Sequence, residues 1–250
     1  MQPLFALVAV LAAFIAPVAA QPQSVVVSVA ASVYDALDEI AGLYRAATGV
    51  TVALNAGGSN TLARQIVEGA KAGLFISADN RQMDVVEKAG RVVAGTRTRL
   101  LTNELAVIVP LDAPANRTIA RVLEGGIARL AMGEPAAVPA GVYGRAWLER
   151  QGAWARLEAK VIPFPTVTAV VSAVGNGRVD AGIVYRTDAM ASKSVRVIGH
   201  VSPKEHPYLD ISYPAAVISG PSEVEAKRFL EFLKGPAARQ VFERRGFGIP

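Results

Sequence analysis

The sequence contains no cysteine among its 250 residues. We therefore expect neither disulfide bonds nor the lipid-bearing cysteine that tethers some exported bacterial proteins to a membrane. Aromatic side chains are also scarce, at 6% of the chain, and basic residues are dispersed although the formal net charge is +5. No nucleic-acid surface is indicated. The positive charge predicts at most a mild long-range attraction for small anions.

Charged side chains are missing from residues 1–20. This segment carries an apolar run from Leu4 to Ile15, then Pro17, and ends in small residues at Ala20. The pattern predicts a secretory signal peptide cleaved after Ala20, although the usual basic residue near its start is missing. A retained membrane anchor is the alternative, but the run is short for a bilayer span of about 20 residues. We expect a soluble periplasmic protein after cleavage.

Two enzyme signatures are missing from the sequence. No Gly-x-Ser-x-Gly motif surrounds a serine, so a secreted serine hydrolase that uses Ser32 or Ser59 is a remote alternative. The only histidines, His200 and His206, fall in a predicted polar loop far along the chain. No Gly-x-x-x-x-Gly-Lys motif occurs, so we do not expect this chain to hydrolyse nucleotide.

The same predicted loop also holds the residues that could suggest a metal site: His200, Glu205, His206 and Asp210. Their spacing matches no common metal-ligand pattern. Two prolines in the segment are typical of a surface loop. We therefore expect a solvated loop there and no metal held by side chains.

Short apolar strands alternate with amphipathic helices along the remaining chain. Val25 to Val29 is a nearly continuous apolar run, as expected of a parallel strand covered on both faces. Further strands are predicted at Thr51–Leu54, Leu74–Ile76, Arg129–Met132, Val161–Phe164 and Ala181–Tyr185. This order predicts an α/β fold with doubly wound parallel sheets. Ligands of such folds bind at the carboxyl ends of the strands.

Two longer apolar stretches, Leu105 to Val109 and Tyr213 to Ile218, bracket the central region. We interpret them as the two chain crossings between two lobes. Lobe 1 would then comprise residues 21–104 plus 214–250, and lobe 2 residues 105–213. Two lobes joined in this way form a cleft that closes by a hinge motion, and a ligand that touches both lobes stabilises the closed form.

A final amphipathic helix is predicted near the end of the chain. Ser222 and Glu225 have the spacing of a capping box, and Gly235-Pro236 would end the helix. We expect this helix to return to lobe 1.

The run Gly57 to Gln65 indicates a strand end, a glycine turn, the Ser59 hydroxyl and a helix start. Such a turn can hold an oxyanion without a charged side chain. Glycine permits close approach of backbone, and the first N–H groups of a helix have no internal partner and lie at the positive end of its dipole. Ser32 follows the first strand in the same way. An ordinary capped helix also fits each turn.

Two further helix starts are predicted in the central region. Pro139-Ala140-Gly141 precedes one helix and Pro165-Thr166-Val167 precedes another, with proline near each start as helices prefer. Tyr185 ends a strand and adds a phenolic hydroxyl. Each of these residues alone fits a helix cap or a core tyrosine, but together they favour an anion site between the lobes.

From about Val25 to Pro250 the sequence resembles the molybdate-binding proteins of bacterial ABC-type uptake systems, which have the type II periplasmic binding fold. The matching segments occur in one order: Ala30–Ser32, Ser59–Ile66, Leu74–Asp79, Gly133–Pro135, Val138–Tyr143, Gly182–Tyr185, Thr187–Ala189 and Arg245–Phe247.

The resemblance implies a two-lobed extracytoplasmic protein, not an enzyme, that captures molybdate or tungstate without a cofactor. The implied partners are a membrane permease and a separate ATPase, and we expect a monomer. A binding protein for another oxyanion, such as sulfate, is the alternative. By resemblance, hydroxyls and backbone N–H groups would hold the oxyanion at Ser32, Ser59, Ala140, Val167 and Tyr185.

Three positions depart from the family pattern. Gly73 stands where the family usually has an acidic residue, and Lys71 stands where it often has proline. Loss of that carboxylate would loosen the turn or change how the lobe is braced. Arg186 stands where the family often has a small residue. Its guanidinium would either strengthen anion capture at the cleft rim or be a solvated surface group.

Overall fold

A computed structural model describes residues 24–250, so the predicted signal peptide lies outside the described residues. The strands are β1 Ser24–Ala30, β2 Thr51–Gly57, β3 Leu74–Ile76, β4 Thr98–Thr102, β5 Leu105–Pro110, β6 Leu130–Gly133, β7 Val161–Phe164, β8 Ala181–Tyr185, β9 Val195–Val201 and β10 Ser212–Val217. The helices are α1 Tyr34–Thr48, α2 Ser59–Val67, α3 Asn80–Lys88, α4 Ile119–Leu123, α5 Pro139–Arg150, α6 Trp154–Leu157, α7 Val167–Gly175, α8 Arg186–Ala191, α9 Glu223–Lys234 and α10 Pro236–Arg244. In this part of the chain no helix is both long and apolar enough to cross a bilayer.

The strands form two sheets with one plan. The first has the order β2-β1-β3-β10-β4 and the second the order β7-β6-β8-β5-β9. In each sheet the first three strands named are parallel, and the fourth is antiparallel to both of its neighbours. The α/β fold with two lobes expected from the sequence is confirmed.

Apolar residues on alternate faces of each strand explain the layers. Leu74 and Ile76 of β3 belong to the core that also contains residues of α1 and α9, whereas Phe75 packs with residues of α2 and α3. This alternation follows from the two-residue period of a strand. In β5, Leu105 belongs to the larger core and Ala106 to a cluster with residues of α7. Helices therefore cover both faces of each sheet.

The two crossings between sheets differ from those expected. The stretches from Leu105 and from Tyr213 are the antiparallel strands β5 and β10, not the connections themselves. The chain crosses at 103–104 and at 202–211, and the N–H of Asn103 donates to the carbonyl of Ile211 at 3.1 Å. The carboxyl ends of the parallel strands face the opposite sheet, so a crossing chain enters there and must run antiparallel. The sheets are therefore mixed rather than purely parallel.

The predicted capping box of α9 does not form. The Ser222 side chain makes no cap hydrogen bond. The carboxylate of Glu225 is buried and instead accepts hydrogen bonds from the Tyr44 hydroxyl of α1 and from Arg228. A tertiary partner thus replaces the local one. The helix ends before Gly235 as predicted, and α10 begins directly after it.

The departure at Gly73 lies at the start of β3, away from the carboxyl ends of the strands. Its N–H donates to the carbonyl of Val26 at 2.8 Å, and its own carbonyl accepts from the N–H of Ile218 at 2.9 Å. A Cβ atom at position 73 would lie 2.8 Å from a methyl group of Val25. Backbone hydrogen bonds therefore hold this turn without a carboxylate, and the packing leaves no room for one. Lys71 is exposed.

Candidate functional site

The carboxyl ends of six strands, three from each sheet, surround one small cavity of about 20 Å³. It is lined by Ala30, Ala31, Ser32, Gly57, Gly58, Ser59, Ala78, Val138, Pro139, Ala140, Thr166, Val167 and Tyr185. All five residues predicted to hold the oxyanion are among them, so the structure brings them together. Their role in binding stays a prediction. None of the described residues that line this cavity is charged.

Ser59 is the first residue of α2, and it is buried. Its Oγ accepts a hydrogen bond of 2.9 Å from the backbone N–H of Ala78, which follows β3. A backbone N–H can only donate, so this contact leaves the hydroxyl hydrogen of Ser59 available to another acceptor. The first N–H groups of α2 also have no partner within the helix.

Ser32 lies in a 3-10 turn, Ala31–Val33, that follows β1 directly. Its Oγ is 3.2 Å from the hydroxyl oxygen of Tyr213 in β10. Tyr213 is fully buried, so it gives the Ser32 hydroxyl a partner that solvent cannot replace.

The second sheet contributes two helix starts. Ala140 is the second residue of α5, after Pro139, and Val167 is the first residue of α7. Because the early N–H groups of a helix have no internal partner, both backbones can donate to a ligand. The close approach of α5 to β6 requires glycine: a Cβ at Gly141 would lie 2.1 Å from the carbonyl oxygen of Gly133.

Tyr185 ends β8 and connects the two halves of the cavity. Its ring is buried, and its hydroxyl donates to the carbonyl of Ala78 at 3.4 Å. Burial raises the pKa of Tyr185 well above its ordinary value of 10.0. The phenol therefore keeps its proton at neutral pH and acts as a hydrogen-bond donor.

The electrostatics of this cavity come from dipoles. The N-terminal ends of α2, α5 and α7 all meet it, and each contributes a partial positive charge together with free N–H groups. Hydroxyl groups add further donors. The arrangement suits a small anion that can accept hydrogen bonds on all sides.

The hydrolase alternative finds no support in the geometry. Within residues 24–250, neither Ser32 nor Ser59 is hydrogen-bonded to a histidine or a carboxylate. His200 lies on strand β9 rather than in the predicted loop, and His206 lies in a turn after it. No cluster of potential metal ligands occurs among the described residues.

Arg186 takes neither of the roles considered from the sequence. One guanidinium nitrogen, Nη2, donates to the carbonyl of Gly246 at 2.6 Å, and Nε is 3.7 Å from the carboxylate of Glu104. The side chain is about one-third exposed and does not line the cavity. Arg186 therefore links α8 to the C-terminal segment and to the first crossing.

A larger groove of about 720 Å³ adjoins the cavity. Its acidic residues are Asp35, which is exposed, and Asp188, whose pKa burial raises well above the ordinary value. Its two arginines, Arg244 and Arg245, are both bound to the carboxylate of Glu39. The groove thus offers an anion little charge of the right sign, and the small cavity is the better anion site.

Three further residues, one in the cavity lining and two behind it, were not predicted from the sequence to take part in the site. Ala78 supplies an N–H to Ser59 and a carbonyl to Tyr185. The Tyr213 hydroxyl contacts Ser32, and Asn103 in turn donates to Tyr213. Asn103 and Tyr213 are polar residues in or next to apolar strands, which is a common pattern, and Ala78 has no polar side chain to mark it. Their positions depend on contacts between distant parts of the chain.

Two mixed sheets that meet around a cavity lined by neutral donors define a two-lobed α/β protein whose cavity suits a small ligand. Residues 25–248 match the family model described as bacterial extracellular solute-binding protein. The chain belongs to this family. Its relatives are solute-binding proteins rather than enzymes.

Named relatives agree with this assignment. The molybdate-binding protein ModA of Escherichia coli K12 is 38% identical over 234 residues, which is 90% of this chain and 89% of the relative. ModA of Haemophilus influenzae is 30% identical over 230 residues, or 89% of each chain. The structure of the periplasmic molybdate-binding protein of Azotobacter vinelandii matches with a TM-score of 0.80 and 25% identity, covering 90% of this chain and 99% of that one.

Proposed function

We propose that this protein captures molybdate, and also tungstate, outside the cytoplasm and delivers it to an ABC-type permease driven by a separate ATPase. The observation that carries the proposal is the meeting of Ser32, Ser59, Ala140, Val167 and Tyr185 around one uncharged cavity. Relatives named for molybdate binding support the choice of ligand. No cofactor takes part.

The energetics of capture are favourable without a charged side chain. An isolated ion in a low-dielectric interior would lose tens of kcal/mol of solvation, so protein donors must replace its water. Each hydrogen bond to a charged group contributes about 1.5 to 3 kcal/mol, and each helix start adds about 0.3 to 1 kcal/mol. Several such donors can supply the roughly 8 to 12 kcal/mol of micromolar to nanomolar binding after ordering costs.

Neutral donors also account for the selectivity that we propose. Near neutral pH phosphate carries at least one proton, and a shell made only of donors offers that proton no acceptor. Molybdate, tungstate and sulfate are fully ionised and accept hydrogen bonds on every oxygen. Sulfate is smaller than molybdate and tungstate. We propose that the size of the cavity favours the two larger ions and so discriminates against sulfate.

Closure around the ligand explains why both sheets contribute donors. We propose residues 21–104 plus 214–250 as lobe 1 and residues 105–213 as lobe 2, although Ser212 and Tyr213 at the end of this range already pair with β4 in the first sheet. The hydrogen bond from Tyr185 to Ala78 runs between these lobes and supports a closed arrangement. We further propose that the protein is exported by a cleaved signal peptide at residues 1–20 and acts as a periplasmic monomer.

Titration calorimetry of residues 21–250 with molybdate, tungstate, sulfate and phosphate tests the proposal. We expect micromolar or tighter binding of molybdate and tungstate and much weaker binding of the other two. Equal thermal stabilisation by sulfate and molybdate at matched concentrations would contradict the proposed ligand, because the shift follows RT ln(1 + [L]/Kd).

The placement of the ligand needs its own variant. Ser59→Ala removes a proposed donor, whereas Ser172→Ala removes an exposed hydroxyl in α7 that does not line the cavity. We expect weaker molybdate binding for the first variant only. If Ser59→Ala binds molybdate as tightly as the unmodified protein, the ligand lies elsewhere.

A further inference from the structure

A row of polar side chains runs from the first crossing to the cavity. Asn103, in the link between β4 and β5, donates from Nδ2 to the hydroxyl oxygen of Tyr213 at 3.1 Å. That oxygen in turn lies 3.2 Å from the Oγ of Ser32. Asn103 and Tyr213 are buried, with 4% and 0% of their surface exposed, so water does not compete for these contacts.

The orientation of the Asn103 amide follows from its neighbours. Its Oδ1 accepts a hydrogen bond of 2.9 Å from the backbone N–H of Glu104, which can only donate. The other end of the amide must therefore be the NH₂ group. Its two hydrogens have two acceptors, the hydroxyl oxygens of Tyr213 and of Thr187, the latter at 2.9 Å.

This orientation decides the direction of the next bond. The Tyr213 hydroxyl is buried, so its hydrogen requires an acceptor within the protein, and Asn103 offers it only a donor. Among the described residues, the acceptor that remains for this hydrogen is the Oγ of Ser32. Burial raises the pKa of Tyr213 well above 10.0, so the phenol retains this hydrogen. Ser32 then accepts from Tyr213, and its own hydroxyl hydrogen is left to point into the cavity.

We propose that Asn103 and Tyr213 are positioning residues that hold the Ser32 hydroxyl as a donor and thereby determine specificity for fully deprotonated oxyanions. The inference rests on the proposed function, in which Ser32 contacts the ligand. We call the chain of hydrogen bonds from Asn103 through Tyr213 to Ser32 the relay. Without the relay, the Ser32 hydroxyl rotates and can accept the proton of hydrogen phosphate. With the relay, it meets that proton with a hydrogen of its own.

The second serine of the cavity has the same polarity by a different device. Ser59 accepts from the backbone N–H of Ala78, which no substitution at position 78 other than proline removes. Ser32 has a side-chain relay instead, and the relay can be removed without touching the cavity lining. Asn103 also donates to Thr187 in α8, the helix that follows β8, so its amide connects β10 of the first sheet with a helix that follows the second sheet.

Tyr213→Phe tests the relay because it removes one hydroxyl and keeps the ring. We expect the Kd for molybdate to rise about threefold to tenfold, the loss of one hydrogen bond. The ratio of the phosphate Kd to the molybdate Kd should fall by more than the rise in the molybdate Kd alone would lower it. The reason is that the freed Ser32 hydroxyl can now accept the proton of hydrogen phosphate, so the phosphate Kd falls as well. Tyr208→Phe, at an exposed tyrosine outside the cavity, should change neither value.

A double-mutant cycle isolates the action through Ser32. In a Ser32→Ala background, Tyr213→Phe should change neither the molybdate Kd nor the phosphate ratio. An unchanged ratio in Tyr213→Phe, or an equal effect in both backgrounds, would overturn the relay. Should Tyr213→Phe fail to fold, Asn103→Ala lets Tyr213 accept from Ser32 and should lower the same ratio.

The outcomes separate this inference from the proposed function. If neither Ser32→Ala nor Ser59→Ala weakens molybdate binding, the proposed site is wrong and the relay falls with it. If both weaken binding but Tyr213→Phe and Asn103→Ala leave the ratio unchanged, the site stands and the relay alone is refuted.

Discussion

The two halves of the cavity share a strand plan but present different chemical groups. In the first sheet, Ser32 follows β1 and Ser59 follows β2; at the equivalent places in the second sheet, Ala140 follows β6 and Val167 follows β7. The first half therefore offers serine hydroxyls, whereas the second offers backbone N–H groups beside apolar side chains and Thr166, whose hydroxyl caps α7. The third pair of equivalent places consists of Ala78, which follows β3, and Tyr185, which ends β8. Here the second half supplies the hydroxyl, from Tyr185.

This difference changes what each half requires from its surroundings. A hydroxyl rotates, so it becomes a reliable donor only when another group fixes its direction. The N–H of Ala78 does this for Ser59. A backbone N–H cannot rotate, and it instead requires the helix to start close to the strand, which Gly141 permits. We expect the first half to be sensitive to side-chain replacement and the second to backbone crowding.

The largest effect is expected for Gly141→Ala. The new Cβ would lie 2.1 Å from the carbonyl oxygen of Gly133, so the start of α5 must move. We expect a loss of about 3 kcal/mol in the free energy of unfolding, together with loss of molybdate binding. Thermal unfolding and calorimetry measure both.

Gly42→Ala is the matched control for this change. Gly42 lies inside α1, and a Cβ there meets no atom within 4 Å. Alanine is favoured over glycine in a helix by about 0.5 to 1 kcal/mol, so this variant should be slightly more stable. Equal behaviour of the two variants would contradict the crowding argument.

Ser59→Ala and Val167→Ala compare the two halves directly. Loss of the Ser59 hydroxyl should weaken molybdate binding about tenfold to a hundredfold, since a hydrogen bond to a charged group contributes about 1.5 to 3 kcal/mol. Val167→Ala keeps the backbone donor and should leave the molybdate Kd within about threefold. It should still lower stability by about 1 to 2 kcal/mol, because Val167 is buried in the core.

Calorimetry of both variants with molybdate, alongside thermal unfolding without ligand, separates the two effects. A Val167→Ala variant that lost as much affinity as Ser59→Ala would show that the side chain, not the N–H group, matters in the second half.

Local sequence chemistry was sufficient to predict much of this cavity. A glycine turn, a serine and a helix start are neighbours in the chain, so Ser59 could be singled out without knowledge of the fold. Proline before Ala140 marked a helix start in the same way. The apolar run at Val25 predicted β1 because such runs are typical of buried strands.

Contacts across the chain could not be predicted in this way. Tyr213 lies 181 positions from Ser32, and no local pattern pairs them. The direction of β5 and β10 depends on how the sheets face each other, and the edge strands β4 and β9 have weaker apolar patterns than the central ones. Glu225 had a local capping partner in the sequence but a buried tyrosine in the structure.

Gly58→Ala tests whether the two halves must approach closely. A Cβ at Gly58 would lie 2.8 Å from the carbonyl oxygen of Pro165, which belongs to the opposite half. The backbone angles at Gly58 are allowed for alanine. The same Cβ would also lie 2.8 Å from Oδ1 of Asn60, but this is the end of a side chain that can turn away, whereas the Pro165 carbonyl belongs to the backbone of the other half. We expect the molybdate Kd to rise about tenfold while the unfolding temperature without ligand changes little.

The neighbouring Gly57→Ala is the control, because its Cβ would meet only Leu62, at an ordinary 3.4 Å. Small-angle scattering with and without molybdate gives a second measurement. If Gly58→Ala compacts on ligand addition as fully as Gly57→Ala does, the approach of Gly58 to Pro165 does not limit closure.

Tyr185→Phe is expected to have the smallest effect. Two hydroxyls of the second half line the cavity, and the other one, of Thr166, caps α7 by accepting from the N–H of Ala169. The Tyr185 hydroxyl donates to the carbonyl of Ala78 at a long 3.4 Å, and it must give up this bond to donate to the ligand. We expect molybdate binding to weaken about threefold, at the lower end of the range for one hydrogen bond. Calorimetry at pH 7 measures the change. A loss as large as that of Ser59→Ala would mean that the halves do not divide the donors as described.

The pH dependence of the unmodified protein sharpens this last test. Burial raises the pKa of Tyr185 above 10.0, so the phenol stays a neutral donor and molybdate affinity should be constant from about pH 7 to pH 9. The folded state holds this proton more tightly than the unfolded state does. Its contribution to stability is therefore complete below the unfolded pKa of about 10 and is lost as pH rises further. An affinity that fell between pH 7 and 9 in the unmodified protein but not in Tyr185→Phe would show that the phenol ionises in this range and is not a buried donor.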